Sequence, residues 1–471
     1  MKSKTINIAV LLAALFSLVS CLDTNDGDYV YTDDSAVTAF SVTSAKKAVH
    51  VRASNGADSV YYTTATLTAY KFVIDQQRCV IYNPDSLPYG VDPTKLLVSA
   101  NSLNSGSLVL KSMTSDSLSY LSTTDSLDFS KPRELQVYSL SGAAVRKYEV
   151  RVNVHQEPAD KFNWTKLPNA TPFASTVTGV KSFTVTTAAG VTRRFLLASD
   201  GNITTVFCAD GDEAWHAATP NFNHPLAADA YRSAVVKHDT LFVCEHGTVM
   251  ATTDGNQWAQ QCTGADVTRL IAANPVRLYA YNAQGAMLSS DDSGKTWKAA
   301  SIDESASLLP NGEIAYATLP LNTNANAFRT LIIGSVPEAS TTAFSIWGKI
   351  DEGDAYSENQ PWMFYDHNTL NRHELSLMQN FSAFTYDGKI MMVGNEDRIY
   401  LPYFYGSRDG GITWEADTVI TSPLGFFVTG PYTVSVDKDH FIWFVSGKTG
   451  ETWRGRINRL GWKKEQYEYY E

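Results

Sequence analysis

Cysteine is scarce in this sequence: Cys21, Cys79, Cys208, Cys244 and Cys262 are all that 471 residues contain. None forms a CxxC pair, and none stands near a histidine at metal-ligand spacing, which excludes zinc ribbons and dithiol redox centres. A disulfide between Cys244 and Cys262 is permitted in an oxidising compartment, because both fall within one repeat unit, but spacing does not show it. Buried thiols are the simpler reading. Long basic runs are also missing. The 38 Lys and Arg are scattered and the net charge is −11, so a phosphate-binding groove for nucleic acid is excluded. There is no HExxH, no GxSxG elbow and no glycine-rich phosphate loop after a strand. "HNTLNRHE" sets His367 and His373 too far apart for two ligands on one helix face. Carboxylate pairs such as "DDS" and "EDR" lie in turns, where solvation is the default. No cofactor, metal or catalytic group is implied. What is present is 44% hydrophobic and 18% charged residues, the composition of a globular chain with room for two domains.

One apolar run exists, at the start. Lys2 and Lys4 precede "INIAVLLAALFSLV", which runs into "LVSC". This resembles a bacterial lipobox: a signal peptide over residues 1–20, cleavage before Cys21, and acylation there, so the partner at this end is a membrane. The next stretch, "LDTNDGDYVYTDD", is too acidic and polar to pack. It is an acidic tether over residues 21–34 that resembles the surface-export signals of Bacteroidetes lipoproteins. The expected location is the outer membrane, lipid-anchored and facing the cell exterior. The recurring "DSA", "DSV", "DSL", "DTL" and "DTV" resemble the O-glycosylation sites of such bacteria.

Residues 35–157 form a first domain. "KYEVRVNVH" alternates, with Tyr148, Val150, Val152 and Val154 on one side and Glu149, Arg151, Asn153 and His155 on the other, so it is a half-buried strand. "RELQVYSLSGAAVRKYEV" is a hairpin about a Ser-Gly turn. "FVIDQQRCVIYNP" is a further strand region closing at Asn-Pro. The passage "LDFSKPRELQVYSLSGAAVRKYEVRVNV" resembles the closing hairpin of immunoglobulin-like β-sandwiches of Bacteroidetes surface proteins, which implies a spacer. Pro158 in "HQEPADKFNW" ends this domain.

Residues 158–471 repeat. "SSDDSGKTWK" and "GSRDGGITWE" share the order Ser, x, Asp, x, Gly, x, Thr, Trp, at Ser290, Asp292, Gly294, Thr296, Trp297 and at Ser407, Asp409, Gly411, Thr413, Trp414. "TTDGNQW" carries Asp254 and Trp258 with one residue deleted, and "CADGDEAW" carries Asp210 and Trp215 in a looser version. Each follows alternating strands. Two more units keep the strands without the motif: residues 311–368 around Trp362 and residues 430–471 ending near Trp462. Asp accepts turn N–H groups, Gly takes positive φ, Ser and Thr add local bonds, and Trp packs between units. The motif resembles the Asp-box of sialidase, sortilin-type and xyloglucanase-type β-propellers. The all-β chain is therefore expected to end in a propeller of six blades, with seven as the alternative count. Asp-boxes lie at the blade periphery and identify a fold, not an activity.

A sialidase needs a Tyr nucleophile activated by Glu, an acidic Asp and three carboxylate-clamping arginines, one in a Phe-Arg-Ile-Pro motif. That motif is absent, and "NPVRLYAY" around Arg277 reads as an ordinary strand. Arg193, Arg194, Arg232, Arg269 and Arg372 are the remaining clamp candidates. Aromatic residues crowd "PWMFYDHN" and "RIYLPYFYGS", so Trp362, Tyr365, Tyr400, Tyr403 and Tyr405 are candidate binding residues. The polar stretch from Gly348 to Pro361 reads as a loop beside them. The whole layout resembles an uncharacterised family of Bacteroidetes lipoproteins with a domain of unknown function at each end. The leading expectation is a non-catalytic binding or scaffold protein for a glycan or protein ligand. The alternative is a sialidase-like glycoside hydrolase, marked by converging arginines and a Tyr–Glu pair.

Overall fold

The computed structural model describes residues 31–52, 58–167, 177–222, 224–263, 266–336, 343–366, 371–396, 401–427 and 429–462. Cys21 and Tyr400 lie outside the described residues. Contacts divide the chain into two units that meet in sequence at Pro158 and Ala159, and both are built of strands.

In the N-terminal unit, the long strand Val37–Arg52 pairs with Asp58–Thr66 on one side and Val91–Ser102 on the other. A second sheet orders Val73–Asp75, Val80–Tyr82, Val145–Arg151, Arg133–Tyr138, Ser107–Lys111 and Leu118–Tyr120. Both sheets send side chains into one core: Val42, Leu96 and Val98 from the first, Ile81, Leu135 and Val150 from the second. The alternation in "KYEV" is what permits this, since Tyr148 and Val150 are buried while Glu149 and Arg151 are exposed. The "FVIDQQRCVIYNP" region is two short strands, not one. Asp75 Oδ1 accepts from the backbone N–H groups of Gln77 (3.0 Å) and Arg78 (2.8 Å), and Cys79 takes a positive φ of 54°, so the chain reverses between them.

The C-terminal unit is a six-bladed β-propeller. Six antiparallel sheets follow one another, each of four strands, with the short extra strand Leu226–Ala227 attached to the first. Their innermost strands are Gly179–Thr186, Ala234–Lys237, Arg269–Ala273, Ile314–Leu321, Gln379–Tyr386 and Tyr432–Val436, here blades 1 to 6. Each inner strand neighbours the next, and the sixth neighbours the first, so the ring closes. Closure is covalently non-local. The outermost strand of blade 6 is Phe162–Lys166, which pairs with Thr452–Ile457. The sixth unit thus ends on residues from the beginning of the repeat region, not on Trp462.

The repeated turns join the third and fourth strands of their blades. Ser290 ends Met287–Ser290 and Lys298 opens Lys298–Ala299. Asp292 Oδ1 accepts from the N–H groups of Lys295 (3.0 Å) and Thr296 (2.9 Å), and Oδ2 from Thr296 Oγ1 (2.6 Å). Ser290 Oγ donates to Asp292 (2.8 Å) and accepts from Gly294 N–H (2.9 Å). Burial alone would raise the Asp292 pKa, but these donors hold it down to about 2. Ser407, Asp409, Gly411 and Thr413 repeat the pattern bond for bond. The shortened copy also works: Asp254 accepts from Asn256 and Gln257 N–H, and Gly255 N–H donates to Thr252 Oγ1. Gly294 and Gly411 need their positive φ of 87° and 101°.

Asp210 differs. It ends the strand Ile203–Asp210 and directly opposes Arg193 in the register, whose Nε and Nη2 both donate to it at 2.7 Å. Its carboxylate holds an arginine instead of a turn. Trp215 nonetheless occupies the usual place, 4% exposed beside Leu196, Ala209 and Val445 of the two adjoining blades. Trp258 and Trp414 are buried at the corresponding junctions, between blades 1 and 2 and between blades 4 and 5, while Trp297 is half-buried. The stretch from Gly348 to Pro361 is not one loop. It includes the end of the strand Ser345–Asp351 and a short helix, Ala355–Asn359, capped by Asp354. Cys244 and Cys262 are both free thiols.

Candidate functional site: the axial cavity of the propeller

An inner strand of a propeller blade has a sheet partner on its outer side only, so its inner edge presents unpaired N–H and C=O groups. Here hydroxyls from neighbouring blades meet them. Thr433 Oγ1 accepts from Ser182 N–H (2.9 Å), Ser233 Oγ from Leu270 N–H (2.9 Å), and Thr318 Oγ1 donates to Ala273 O (3.0 Å). Thr184 Oγ1 donates to Val436 O. Tyr316 reaches from blade 4 past blade 3, and its hydroxyl accepts from Val236 N–H of blade 2 at 3.0 Å. These bonds explain why Ser and Thr alternate with apolar residues in the inner strands.

Between the strands lies a cavity of about 600 Å³. Blades 1, 4, 5 and 6 supply most of its wall, whereas blades 2 and 3 give only Val236 and Arg269 from their shorter inner strands. Phe183 and Tyr316 contribute rings, Thr385 a part-exposed hydroxyl, and Ser182 and Thr318 line the wall with hydroxyls engaged between blades.

The charges are unevenly placed. Lys181, Arg232, Arg269 and Glu313 sit where inner strands begin. The Lys181 ammonium lies 5.6 Å from the Phe183 ring centre and 5.8 Å from that of Tyr316. Among the described residues it has no hydrogen-bond acceptor. Its residue is part-buried in the cavity wall, with protein packed around the ammonium. That burial, with the Arg269 charge, pushes its pKa down to about 7 against the opposing pull of Glu313. Arg269 Nη1 donates to Gly312 O (2.8 Å) and Asn311 O (3.3 Å), while Nε and Nη2 are shielded from water without an acceptor among the described residues. Arg232 Nε donates to the Tyr231 hydroxyl at 3.0 Å.

The carboxylates where inner strands end are already engaged. Asp387 accepts both terminal nitrogens of Arg459, at 2.6 and 2.5 Å. Asp437 accepts from the N–H groups of Asp439 and Phe441 and from Trp443 Nε1. At the other end Lys181 is left without an acceptor, and Glu313 stands near the cations without a hydrogen bond to any of them among the described residues.

The structure sorts the clamp candidates. Arg232 and Arg269 join the cavity. Arg193 holds Asp210, and Arg372 lines a separate cleft beside Trp414. Arg194, 1% exposed, is stacked between Trp215 (4.6 Å) and Trp443 (4.3 Å), and burial lowers its pKa to about 10. The aromatic candidates lie outside this cavity's lining. Trp362 is fully buried against Tyr279 at 4.8 Å and offers no face to a ligand. Tyr365 is half-buried, its hydroxyl donating to Gly410 O (3.2 Å), and Tyr405 donates to Glu396 Oε1 (2.5 Å). Tyr403 is exposed. Sequence reasoning missed Lys181, whose one signal is being the sole charge in the strand Gly179–Thr186. Among the described residues, no group of three His, Cys, Asp or Glu could hold a metal ion.

A family model, the DUF6242 beta propeller domain, matches residues 158–465. The chain belongs to the DUF6242 family. The model of the DUF6242 N-terminal domain matches residues 40–152, so the family accounts for both units. No curated protein matches the chain. Solved structures resemble the chain at low similarity. A variant of the Aleuria aurantia lectin in complex with alpha-methyl-L-fucoside has 12% identity and a TM-score of 0.36, over 58% of this chain and 88% of that one. YCF48 from Cyanidioschyzon merolae has 15% identity and a TM-score of 0.31, over 62% and 98%. A protein of unknown function from Dyadobacter fermentans has 12% identity and a TM-score of 0.39, over 62% and 99%.

Proposed function

We propose that this DUF6242 protein is a non-catalytic surface binding protein that takes a glycan into the axial cavity of its propeller. The observation that carries the reading is the cavity itself: about 600 Å³, walled by rings and hydroxyls, with an ammonium lacking an acceptor among the described residues. That volume is typical of small-molecule sites. It admits a sugar ring and excludes a folded protein surface, so of glycan and protein ligands the glycan is favoured. Binding of the purified chain to a glycan array tests this. Thr385→Trp, which places an indole in the cavity, should abolish the signal, and full retention would put the site elsewhere.

One observation favours the second reading, a sialidase-like hydrolase: Tyr231, Arg232, Arg269 and Glu313 share one end of the cavity. Against it, the Tyr231 hydroxyl takes its hydrogen bond from Arg232, and none links it to Glu313 among the described residues. Turnover of a fluorogenic sialoside that is lost in Glu313→Gln would replace the binding reading with the enzyme.

The rest of the proposal concerns placement. Acyl chains on Cys21 hold the chain in the outer membrane, the acidic tether directs it outward, and the N-terminal unit is an immunoglobulin-like spacer. The lipobox-like "LVSC" and the two sheets around one core support this. Cys21→Ser should move the protein out of the membrane fraction or stall its maturation. Normal processing with unchanged membrane retention would refute the anchor.

A further inference from the structure

Three cations and one carboxylate meet at one end of the cavity, and their bonds are unequal. Arg232 is tied to Tyr231, and Glu313 offsets one positive charge of the cluster. Lys181 has no acceptor among the described residues, and neither have Nε and Nη2 of Arg269. Those two nitrogens are shielded from the cavity, so Arg269 contributes its charge there and no direct contact. The carboxylates at the other end are held by Arg459 and by backbone N–H groups and Trp443, so none is available to swing across. A cavity that keeps an ammonium without a counter-ion is electrostatically incomplete, and a monoanion completes it. Three cations against one carboxylate leave the cluster positive, and Lys181, the one cation with a direct contact to offer, seats a single carboxylate. Phe183 and Tyr316 flank the ammonium with ring faces suited to the C–H face of a sugar.

We propose that the cavity holds its ligand by a carboxylate seated on Lys181 and backed by Arg269, so that the ligand is an acidic sugar. This rests on the binding reading above and narrows it. Arg269 supplies charge from behind. Lys181 supplies the direct contact.

Calorimetric titration of the full, detergent-solubilised chain with glucuronate, glucose and inorganic phosphate tests the assignment. Glucuronate should bind at least about 10-fold more tightly than glucose, because a charge-assisted contact is lost in the neutral sugar. Lys181→Met should remove that preference, and Lys181→Arg should restore most of it. Thermal melting of Lys181→Met should not fall, since the substitution takes a desolvated cation out of the channel. The facing groups are Arg269, Arg232, Glu313, Tyr231 and Tyr316. The lysine charge, present below its pKa of about 7, is lost above it, while glucuronate stays ionised. Affinity should therefore fall as pH rises through neutrality, which a structural role for Lys181 would not produce.

Glucuronate and glucose binding equally, both blocked by Thr385→Trp, would leave the glycan reading standing and overturn the carboxylate. Stronger binding of phosphate than of glucuronate would also overturn it, as would full glucuronate affinity in Lys181→Met. Silence from all three probes overturns it as well, and the array then decides the broader reading alone.

Discussion

Replacing Trp414 by Ala is expected to destabilise the propeller by about 3–5 kcal/mol, the cost of deleting a buried large aromatic side chain. The indole is 4% exposed and lies among Leu331, Ile333 and Ile346 of blade 4 and Ile390 and Met392 of blade 5. Its Nε1 donates to Gly411 O at 3.0 Å, which also pins the turn. Removing it opens a cavity between two sheets that cannot collapse without moving a blade. Asp409→Ala in the same turn should cost less, about 1–3 kcal/mol, because the N–H groups of Ile412 and Thr413 that it abandons lie near the surface and water can take them. Trp297→Ala should also cost less than Trp414→Ala, since Trp297 is only half-buried. Glycan binding by the folded fraction should be unchanged in all three, because none of these side chains lines the axial cavity. Urea unfolding beside binding isotherms checks it. A variant with wild-type stability and no binding would show that the turns are ligand sites and that their structural role is wrongly assigned.

The blades were legible because three of them repeat a local device: strands that alternate, a turn with its own internal acceptor, and a tryptophan at the start of the fourth strand. Everything in that device lies within about ten residues, so spacing reveals it. What escaped was non-local. The fourth strand of blade 6 comes from Phe162–Lys166, nearly three hundred residues upstream of its partner, and no pattern in residues 430–471 announces it. Asp210 has the composition of a turn aspartate, yet cross-strand register hands its carboxylate to Arg193. Trp362 stands in an aromatic cluster whose sequence is the same whether the ring faces water or Tyr279. The cavity is the extreme case. Six strands from six blades build it, and Lys181 acquires its character from Phe183, Arg269, Glu313 and Tyr316, three of them more than eighty residues away. Strand periodicity identified the scaffold; the chemistry arises where scaffold elements converge.

Arg277 shows the same limit and carries the second large effect. Read along the sequence it is an ordinary strand residue, but it is 2% exposed and its Nε donates to Asp351 Oδ2 at 2.8 Å. Asp351 is fully buried at the junction of blades 3 and 4. Its Oδ2 also accepts from the Tyr279 hydroxyl (2.8 Å), and Oδ1 from Gly353 N–H (3.0 Å) and Ser357 Oγ (3.1 Å). Burial raises its pKa, but these donors and the Arg277 charge outweigh burial and hold it below the usual carboxylate range. Asp351→Asn keeps the shape and removes the charge, leaving Arg277 buried with only partial compensation from Asp291 and Glu358 at 3.8 and 3.5 Å. The expected loss is about 3–5 kcal/mol. Because the folded pKa is lowered, this carboxylate stabilises the fold above its unfolded value of about 4 and ceases to do so as pH falls through the folded value. Wild type should therefore lose stability in the acid range more steeply than Asp351→Asn, whose melting temperature starts lower and changes less there. Replacing Asp351 and Arg277 together by apolar residues of similar volume should restore much of the loss. If Asp351→Asn melts with wild type at neutral pH, the pair contributes nothing to blade packing, and Arg277 is as ordinary as its sequence suggests.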